Sequence, residues 1–319
     1  MSCYHPLIGY RSDTIGDNGK KKIKIISLRE DETIDDFKNI GAFLIPCGHC
    51  IGCRLDYSRR WADRMMLELE MAKKGLFVTL TYDDEHLHIN DGSCYGTLDK
   101  RDCQLFMKRL RRAYEHKIRF FLAGEYGENG TLRPHYHAII YGIGLSDIDD
   151  RINFGRNDLG QAYYISKKFQ EIWSCGNVLL ADVSWQTCAY VARYVVKKQT
   201  GDKKEIYDVR KVIPEFCLMS RRPGIGAEYL EKNPDCLDFQ KINLSTPQGG
   251  VKISIPKYYL KKYQSTNPLE YAKIMEERRK FACDANLLEL QGTEKYFEQY
   301  LRTKEENKKG KMTALKRKV

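Results

Sequence analysis

The sequence lacks three features that would each point to a familiar class of protein. No run of 18 apolar residues occurs, so no segment is predicted to cross a membrane as a helix. No basic and apolar signal with a small-residue cleavage site stands at the start, so we expect a soluble protein that is not secreted. No GxxxxGK followed by Ser or Thr is present, which argues against a P-loop nucleotide hydrolase.

Cysteine and positive charge, in contrast, are plentiful. The chain of 319 residues contains 11 cysteines, which without an export signal are expected to be reduced thiols, metal ligands or core residues. The net charge of +11 favours a polyanionic partner. Residues 302–319 carry eight Lys or Arg and two Glu, so the body of the chain has an ordinary charge. This basic tail is predicted to be a disordered arm that adds salt-dependent affinity for nucleic acid.

The most informative stretch is IRFFLAGEYGENGTLRPHYHAIIYG, residues 118–142. Two apolar and aromatic runs flank a centre rich in turn-forming residues, which predicts a β-hairpin. Because successive side chains of a strand point to opposite faces, His135 and His137 share a face and Tyr136 points away. Folding the hairpin near its loop centre places Glu125 opposite His135, on the same face.

Two imidazoles and a carboxylate on one face form a candidate metal site. Such a set leaves coordination positions for water or a phosphate oxygen, and it suits manganese or magnesium in a nuclease, and zinc less clearly. The alternative is a partly exposed sheet face that binds no metal.

A second candidate metal site lies in PCGHCIGC. Cys47, Cys50 and Cys53 have the spacing C-x2-C-x2-C, which lets tight backbone turns present thiolates to one ion. Cys3 or His5 would complete a tetrahedral structural zinc site. An iron–sulfur cluster is less favoured because no fourth cysteine lies nearby in sequence. Merely reduced cysteines are the alternative.

The order of predicted elements after this motif defines the fold class. It is strand, helix, strand, strand, helix, strand, which is the split βαβ or ferredoxin-like arrangement of an α+β protein. The antiparallel sheet would be backed by helices, with the HYH strand near its centre and an open face for substrate. A basic helix at 54–74 precedes this core. Besides the hairpin at 118–142, the core elements are the strand LFVTLTY (76–82), a helix at 98–116, a helix at 161–173 and a strand at 178–184.

A further helix is predicted at residues 187–198, TCAYVARYVVKK. Tyr190 and Tyr194 are four residues apart, so they lie one turn above each other on one face. Lys197 and Lys198 follow Tyr194 at i+3 and i+4, so two hydroxyls and an ammonium would point the same way. The alternative is an amphipathic helix that buries its tyrosine rings.

The remaining features are less specific. Arg221 and Arg222 precede Pro-Gly-Ile-Gly, where glycines would let the backbone approach a phosphate, although a plain surface turn has the same composition. His86 and His88 are read as exposed loop residues rather than ligands. The predicted organisation ends with two helices at 267–302, and its parts are a Cys-rich element (1–53), a core (54–226), a partly helical extension (227–301) and the basic tail (302–319).

LFVTLTY, RPHYHAII and YVARYVVKK together resemble the HUH endonucleases. The pattern with two tyrosines on the last helix is similar to the rolling-circle replication initiators of small single-stranded DNA bacteriophages. The gokushovirus-type microviruses look most alike, because their initiators also carry a PCGxCxGC-like segment before a basic helix. The resemblance covers roughly residues 47–226, including MSRRPGIG.

The resemblance implies a mechanism. His135 and His137, with Glu125 as third ligand, would hold a divalent ion, manganese or magnesium, that polarises the scissile phosphate. Tyr194 or Tyr190 would attack phosphorus and leave a free 3′-hydroxyl and a 5′-phosphotyrosine. The second tyrosine would permit the next cut after one round, and the new 3′-end would close the circle.

The resemblance also implies partners. Lys197 is similar to a family lysine that positions the reacting tyrosine, with Lys198 as the alternative. Arg133, Lys198, Arg221 and Arg222 are the basic side chains predicted to contact DNA. The expected partners are an origin-bearing single strand and, since no ATPase loop is present, a host helicase with the host DNA polymerase. Such a protein is expected in the host bacterial cytoplasm, away from membranes.

Two other functions are compatible with the same residues. A relaxase or transposase would use the same chemistry, but the chain has no helicase or transfer domain. A non-catalytic module would bind single-stranded nucleic acid by stacking bases on aromatic side chains of the sheet, such as Tyr82, Tyr136 and Tyr141.

Overall fold

The computed structural model describes residues 3–16, 21–27, 39–127, 132–157, 160–194, 204–239, 241–246, 249–291 and 297–316. The chain forms two compact units, which are described separately below. The terminal unit comprises Met1–Tyr57 and Glu276–Val319, and the central unit comprises Ser58–Met275. Within the described ranges, no helix combines the length and the apolarity needed to cross a bilayer.

The strands and helices follow in chain order. The strands are β1 (Leu7–Ile15), β2 (Lys21–Ile26), β3 (Phe43–Ile45), β4 (Gly75–Tyr82), β5 (Arg119–Tyr126), β6 (Pro134–Tyr141), β7 (Ile152–Arg156), β8 (Ala162–Ile165), β9 (Gly176–Asp182), β10 (Phe216–Met219), β11 (Lys241–Thr246) and β12 (Gly249–Ser254). The helices are α1 (Ile51–Ala72), α2 (Lys100–Ala113), α3 (Lys167–Trp173), α4 (Trp185–Arg193), α5 (Glu205–Arg210), α6 (Ala227–Lys232), α7 (Lys257–Thr266), α8 (Pro268–Gln291) and α9 (Phe297–Lys316).

The terminal unit contains a small sheet in the order β2-β1-β3. The alternating strand KKIKIIS pairs antiparallel with β1, as predicted, while the turn expected at residues 17–19 lies outside the described residues. The disordered arm is wrong up to Lys316, because these residues form α9. Leu301 and Glu305, one turn apart on α9, are both buried, and the Glu305 carboxylate contacts the His5 imidazole at 2.8 Å, so tertiary contacts stabilise this charged helix.

The central unit is built on a seven-stranded antiparallel sheet within the described residues, in the order β10-β5-β6-β4-β9-β8-β7. Its four inner strands, β5-β6-β4-β9, have the order expected of a split βαβ arrangement. The predicted α+β fold with helices backing an antiparallel sheet is therefore confirmed. The HYH strand, β6, lies next to the central strand β4.

Both faces of this sheet are packed against helices. Val78 and Leu80 of β4 belong to one apolar cluster together with residues of α2 and α3. Phe77, which points to the opposite face, belongs to a second cluster with residues of α1 and α4. The predicted open sheet face is therefore wrong, because α1 and α4 cover the face that carries the histidines. Thr79 and Thr81, polar residues towards one end of β4, are partly exposed on that face.

The helix predicted at 161–173 is wrong in its first half. Ala162–Ile165 forms β8, which pairs with β7 as an unpredicted edge hairpin. Its Tyr-Tyr-Ile sequence suits a strand, because aromatic and β-branched side chains favour extended backbone. The Ser166 side chain accepts the Phe169 N–H at 3.2 Å and so begins α3 at Lys167. The ambiguous segment at 204–212 is also helical, as α5.

A buried ion pair fixes the turn that follows β10. Glu68 of α1 accepts a hydrogen bond from Arg119 of β5 and another from the Gly226 N–H at 2.6 Å. The Arg119 guanidinium also donates to the Pro223 carbonyl at 2.9 Å. Both side chains are nearly inaccessible to solvent. The pair therefore joins the first helix, the sheet and the Pro-Gly-Ile-Gly turn.

Replacing Glu68 by alanine is expected to lower the free energy of unfolding by about 3–5 kcal/mol, because a buried guanidinium loses its counter-charge. The matched control is Glu70→Ala, which removes an exposed pair with Lys73 and should cost at most about 1 kcal/mol. Urea denaturation of both variants provides the measurement. Equal midpoints for the two variants would contradict this account of the turn.

Candidate active site

Three potential metal ligands meet on the second face of the sheet. In the β5–β6 pairing Glu125 lies directly opposite His135, as predicted from the hairpin. The Glu125 Oε1 atom is 2.9 Å from His135 Nε2 and 3.2 Å from His137 Nε2. One ligand atom from each residue lies within 4.8 Å of the others. Glu125 and His137 are buried, whereas His135 is partly exposed.

Hydrogen bonds at the far nitrogen orient each imidazole ring. His135 Nδ1 donates to the Arg133 carbonyl at 3.1 Å, since a carbonyl oxygen only accepts. His137 Nδ1 is 3.0 Å from the Thr79 hydroxyl of β4. Both Nε2 atoms therefore face the Glu125 carboxylate. Histidines that ligate metals are typically held in this way, through a partner on the other ring nitrogen.

The two tyrosines of α4 lie against this group. The helix begins after Ser184, whose hydroxyl accepts the Thr187 N–H, and this start places Tyr190 over the sheet. The Tyr190 hydroxyl is 3.4 Å from His137 Nε2. The Tyr194 ring stacks on the His137 ring with a centroid distance of 5.2 Å and an interplanar angle of 13°.

The environments of the two phenols differ. Tyr190 is 37% exposed, whereas Tyr194 is 5% exposed and ends the described part of the helix. Burial raises the pKa of the Tyr194 phenol well above its usual value, and the neighbouring Tyr190 and Glu125 increase this pKa further. Tyr190 is thus the accessible phenol, and Tyr194 is held inside the site.

The comparisons with known proteins agree with one family. The sequence profile of the family described as Replication-associated protein ORF2 matches residues 75–199. Replication-associated protein ORF2 of Spiroplasma virus 4 is 32% identical over 253 residues, which cover 75% of this chain and 74% of that protein. The chain belongs to the replication-associated protein family. Replication-associated protein VP4 of Bdellovibrio phage phiMH2K is 30% identical over 257 residues, 77% of this chain and 76% of that protein.

A third relative, Replication-associated protein ORF4 of Chlamydia phage 1, is 30% identical over 189 residues, 56% of this chain and 45% of that protein. No solved structure is significantly similar to the chain. The family profile runs from β4 past the end of α4, so it contains the carboxylate, both histidines and both tyrosines. It also contains Lys197 and Lys198, which lie outside the described residues.

The arginines predicted to contact DNA occupy two places in the family fold. Arg133 is close to the ligands, and its guanidinium donates to Asp84 at 2.6 Å and to the Tyr82 carbonyl at 3.0 Å. Arg221 and Arg222 are exposed in the turn after β10. The Gly226 N–H in that turn donates to Glu68 and is therefore not directed at a phosphate.

The aromatic stacking platform expected for a non-catalytic module is wrong. Tyr82, Tyr136 and Tyr141 are each at most 3% exposed, because helices cover both sheet faces. Nucleic-acid bases cannot reach these rings. His86 and His88 also lie apart from the ligand group, since their rings contact the carboxylates of Asp83 and Asp102 respectively.

The four cysteines of the second predicted metal site come together in the terminal unit. One sulfur from each of Cys3, Cys47, Cys50 and Cys53 lies within 4.8 Å of the others. Of the two residues proposed to complete the set, the structure brings Cys3 to it. His5 instead contacts Glu305.

Two residues that the sequence did not single out shape the site. Thr79 orients His137, and the Phe77 ring stacks with that imidazole at a centroid distance of 5.8 Å and an angle of 8°. Their side chains share a face because they alternate in LFVTLTY, which is visible in sequence. Their pairing with β6 is a long-range contact that the sequence alone does not specify.

Proposed function

We propose that this replication-associated protein is a metal-dependent, site-specific endonuclease that nicks and rejoins single-stranded DNA. It would initiate and terminate rolling-circle replication through a 5′-phosphotyrosine. The observation that carries the proposal is the distance of 3.4 Å between the Tyr190 hydroxyl and Nε2 of His137. A nucleophile thus lies beside a group of metal ligands, in a chain whose relatives are named replication-associated proteins.

The donor set is chemically suited to a divalent ion. Glu125, His135 and His137 offer one carboxylate oxygen and two imidazole nitrogens and leave further coordination positions for phosphate oxygens, so manganese or magnesium is the proposed cofactor. When bound, the ion would polarise the scissile phosphate and neutralise charge that develops on it. The hydrogen bonds to the Thr79 hydroxyl and the Arg133 carbonyl would keep both imidazoles in position.

The chemistry is a transesterification. The Tyr190 oxygen attacks phosphorus, a tyrosyl O–P bond forms, and the bond from phosphorus to the 3′ oxygen breaks. The phenol loses its proton, and the departing 3′ oxygen gains one. The 3′-hydroxyl so produced primes synthesis, while the 5′-phosphotyrosine retains the phosphodiester linkage. Attack by a later 3′-hydroxyl reverses the step, joins DNA and restores the phenol without an external energy source.

The basic side chains fit roles in holding the strand. Arg133 lies beside the ligand group, and Arg221 and Arg222 are exposed in a turn fixed by a buried ion pair. We propose that these arginines, with Lys198, contact phosphates, and that Lys197 positions the reacting tyrosine. Unwinding and synthesis would fall to a host helicase and the host DNA polymerase in the bacterial cytoplasm.

The test uses the full chain, manganese and a pool of single-stranded oligonucleotides tiled over the replicon that encodes it. We expect a covalent protein–DNA adduct that withstands denaturant and carries the downstream fragment. The upstream fragment should end in a 3′-hydroxyl that a polymerase extends. Chelation with EDTA should abolish both products.

Three outcomes would overturn the proposal. DNA binding without any adduct would leave a non-catalytic binding protein. Cleavage without an adduct, giving only free ends, would indicate a hydrolytic nuclease that does not use a tyrosine. An adduct on the upstream fragment would reverse the proposed polarity and exclude a primer role for the free end.

A further inference from the structure

The terminal unit contains a compact group of four cysteines. Cys3 precedes β1, Cys47 and Cys50 lie between β3 and α1, and Cys53 is in the first turn of α1. All four sulfurs are free thiols, and they lie within 4.8 Å of one another. Folding therefore brings the beginning of the chain to a cluster more than 40 positions later.

The spacing of the sulfurs fits a shared ion. In a tetrahedral zinc site with Zn–S bonds of about 2.3 Å, the sulfurs are about 3.8 Å apart. The sulfurs of Cys3 and Cys50 are 3.9 Å apart. A disulfide would require about 2.05 Å. This separation is therefore too long for a covalent bond and close to the edge of a metal tetrahedron.

Backbone amides surround the sulfurs. The Cys47 N–H points at the Cys3 sulfur at 3.2 Å, and the Cys50 N–H points at the Cys47 sulfur at 3.3 Å. The Cys50 sulfur receives the N–H groups of Tyr4 at 3.4 Å and Cys53 at 3.5 Å. Such donors stabilise the negative charge of thiolates, which are the form that binds metal.

We propose that Cys3, Cys47, Cys50 and Cys53 bind one Zn²⁺ as a closed structural site. Four thiolates fill a tetrahedral shell and leave no position for substrate, so the site would be structural rather than catalytic. His5 is not needed as a ligand, because its Nε2 atom is 2.8 Å from Glu305. The ion would tie the residue before β1 to the first turn of α1 and enclose the small three-stranded sheet in that loop.

This proposal is independent of DNA cleavage, so its test measures metal. The full chain, expressed in medium with zinc and iron, should contain about one zinc per chain by mass spectrometry of the elements. Titration with an organomercurial should release that zinc as the cysteine thiols react. Reconstitution with cobalt should give the intense visible bands and the near-ultraviolet sulfur-to-metal bands of tetrahedral cobalt thiolate.

Variants separate this site from the histidine site. Cys47→Ser should lose at least about nine-tenths of the zinc, because three thiolates hold the ion less tightly. Cys94→Ser, which changes an exposed free cysteine, and His135→Ala should both keep it. If Cys47→Ser does not fold, the organomercurial and cobalt measurements on the unaltered chain decide. Iron in place of zinc, a disulfide, absence of zinc, or zinc that is lost in His135→Ala would overturn the proposal.

Discussion

Replacing Tyr190 by phenylalanine is expected to reduce formation of the first covalent adduct by at least about 10⁴-fold, because the change removes the nucleophilic oxygen and little else. Tyr190 is the exposed phenol of the pair, and its hydroxyl faces the ligand group. The measurement is single-turnover cleavage of an origin-bearing strand with manganese, followed by mapping of the adduct peptide. In the unaltered chain the mapped residue should be Tyr190.

Tyr194→Phe should behave differently in the same assay. Its phenol is buried and its pKa is raised, so it is a poor nucleophile for an incoming strand in the described conformation. We expect the first cleavage to stay within about tenfold of the unaltered rate, while the second strand transfer that closes the circle is lost. Tyr229→Phe, a partly buried tyrosine of α6, is the matched control and should leave both steps intact. An adduct mapped to Tyr194 in the first turnover would refute this order of attack.

Replacing Glu125 by glutamine should weaken manganese binding at the histidine site by at least about 100-fold. Changes to outer-shell partners already cost about 10- to 100-fold in metal affinity, and Glu125 is a proposed direct ligand. Glutamine keeps the size of the side chain but removes its charge and replaces one oxygen by an amide. Isothermal titration with manganese measures the loss, and cleavage should fall in parallel and recover partly at high manganese.

The control for this change is Glu231→Gln, an exposed carboxylate of α6 that pairs with Lys262. It should alter neither metal affinity nor cleavage. Thermal melting of the metal-free proteins would show that both variants fold. Unchanged manganese binding in Glu125→Gln would remove this carboxylate from the proposed ligand set and leave the two histidines as the only protein ligands proposed there.

The local parts of the site could be predicted from sequence. The pairing of Glu125 with His135 follows from a hairpin whose loop is centred on turn-forming residues, and side-chain alternation then places His137 on the same face. The i, i+4 spacing of Tyr190 and Tyr194 likewise brings their rings together, with a centroid distance of 5.1 Å. These relations depend only on the periods of strands and helices.

The parts that depend on distant contacts could not be predicted. The residues that cover a sheet face come from helices far away in sequence, so Tyr82 and Tyr136 looked available for stacking although they are buried. The β8 segment resembled the start of a helix because its partner, β7, could not be recognised. The charged segment of α9 looked disordered, since the contact of Glu305 with His5 joins opposite ends of the sequence.

The opposed positions of Glu125 and His135 on neighbouring strands limit where the family can change in length. Residues added or removed after Tyr126 and before Pro134 would alter only the connection and preserve the ligands. One residue inserted inside β5, before Glu125, would turn its carboxylate towards α2 and α3 and away from both imidazoles. Insertions and deletions in functional relatives should therefore cluster in the connection and avoid the strands on either side.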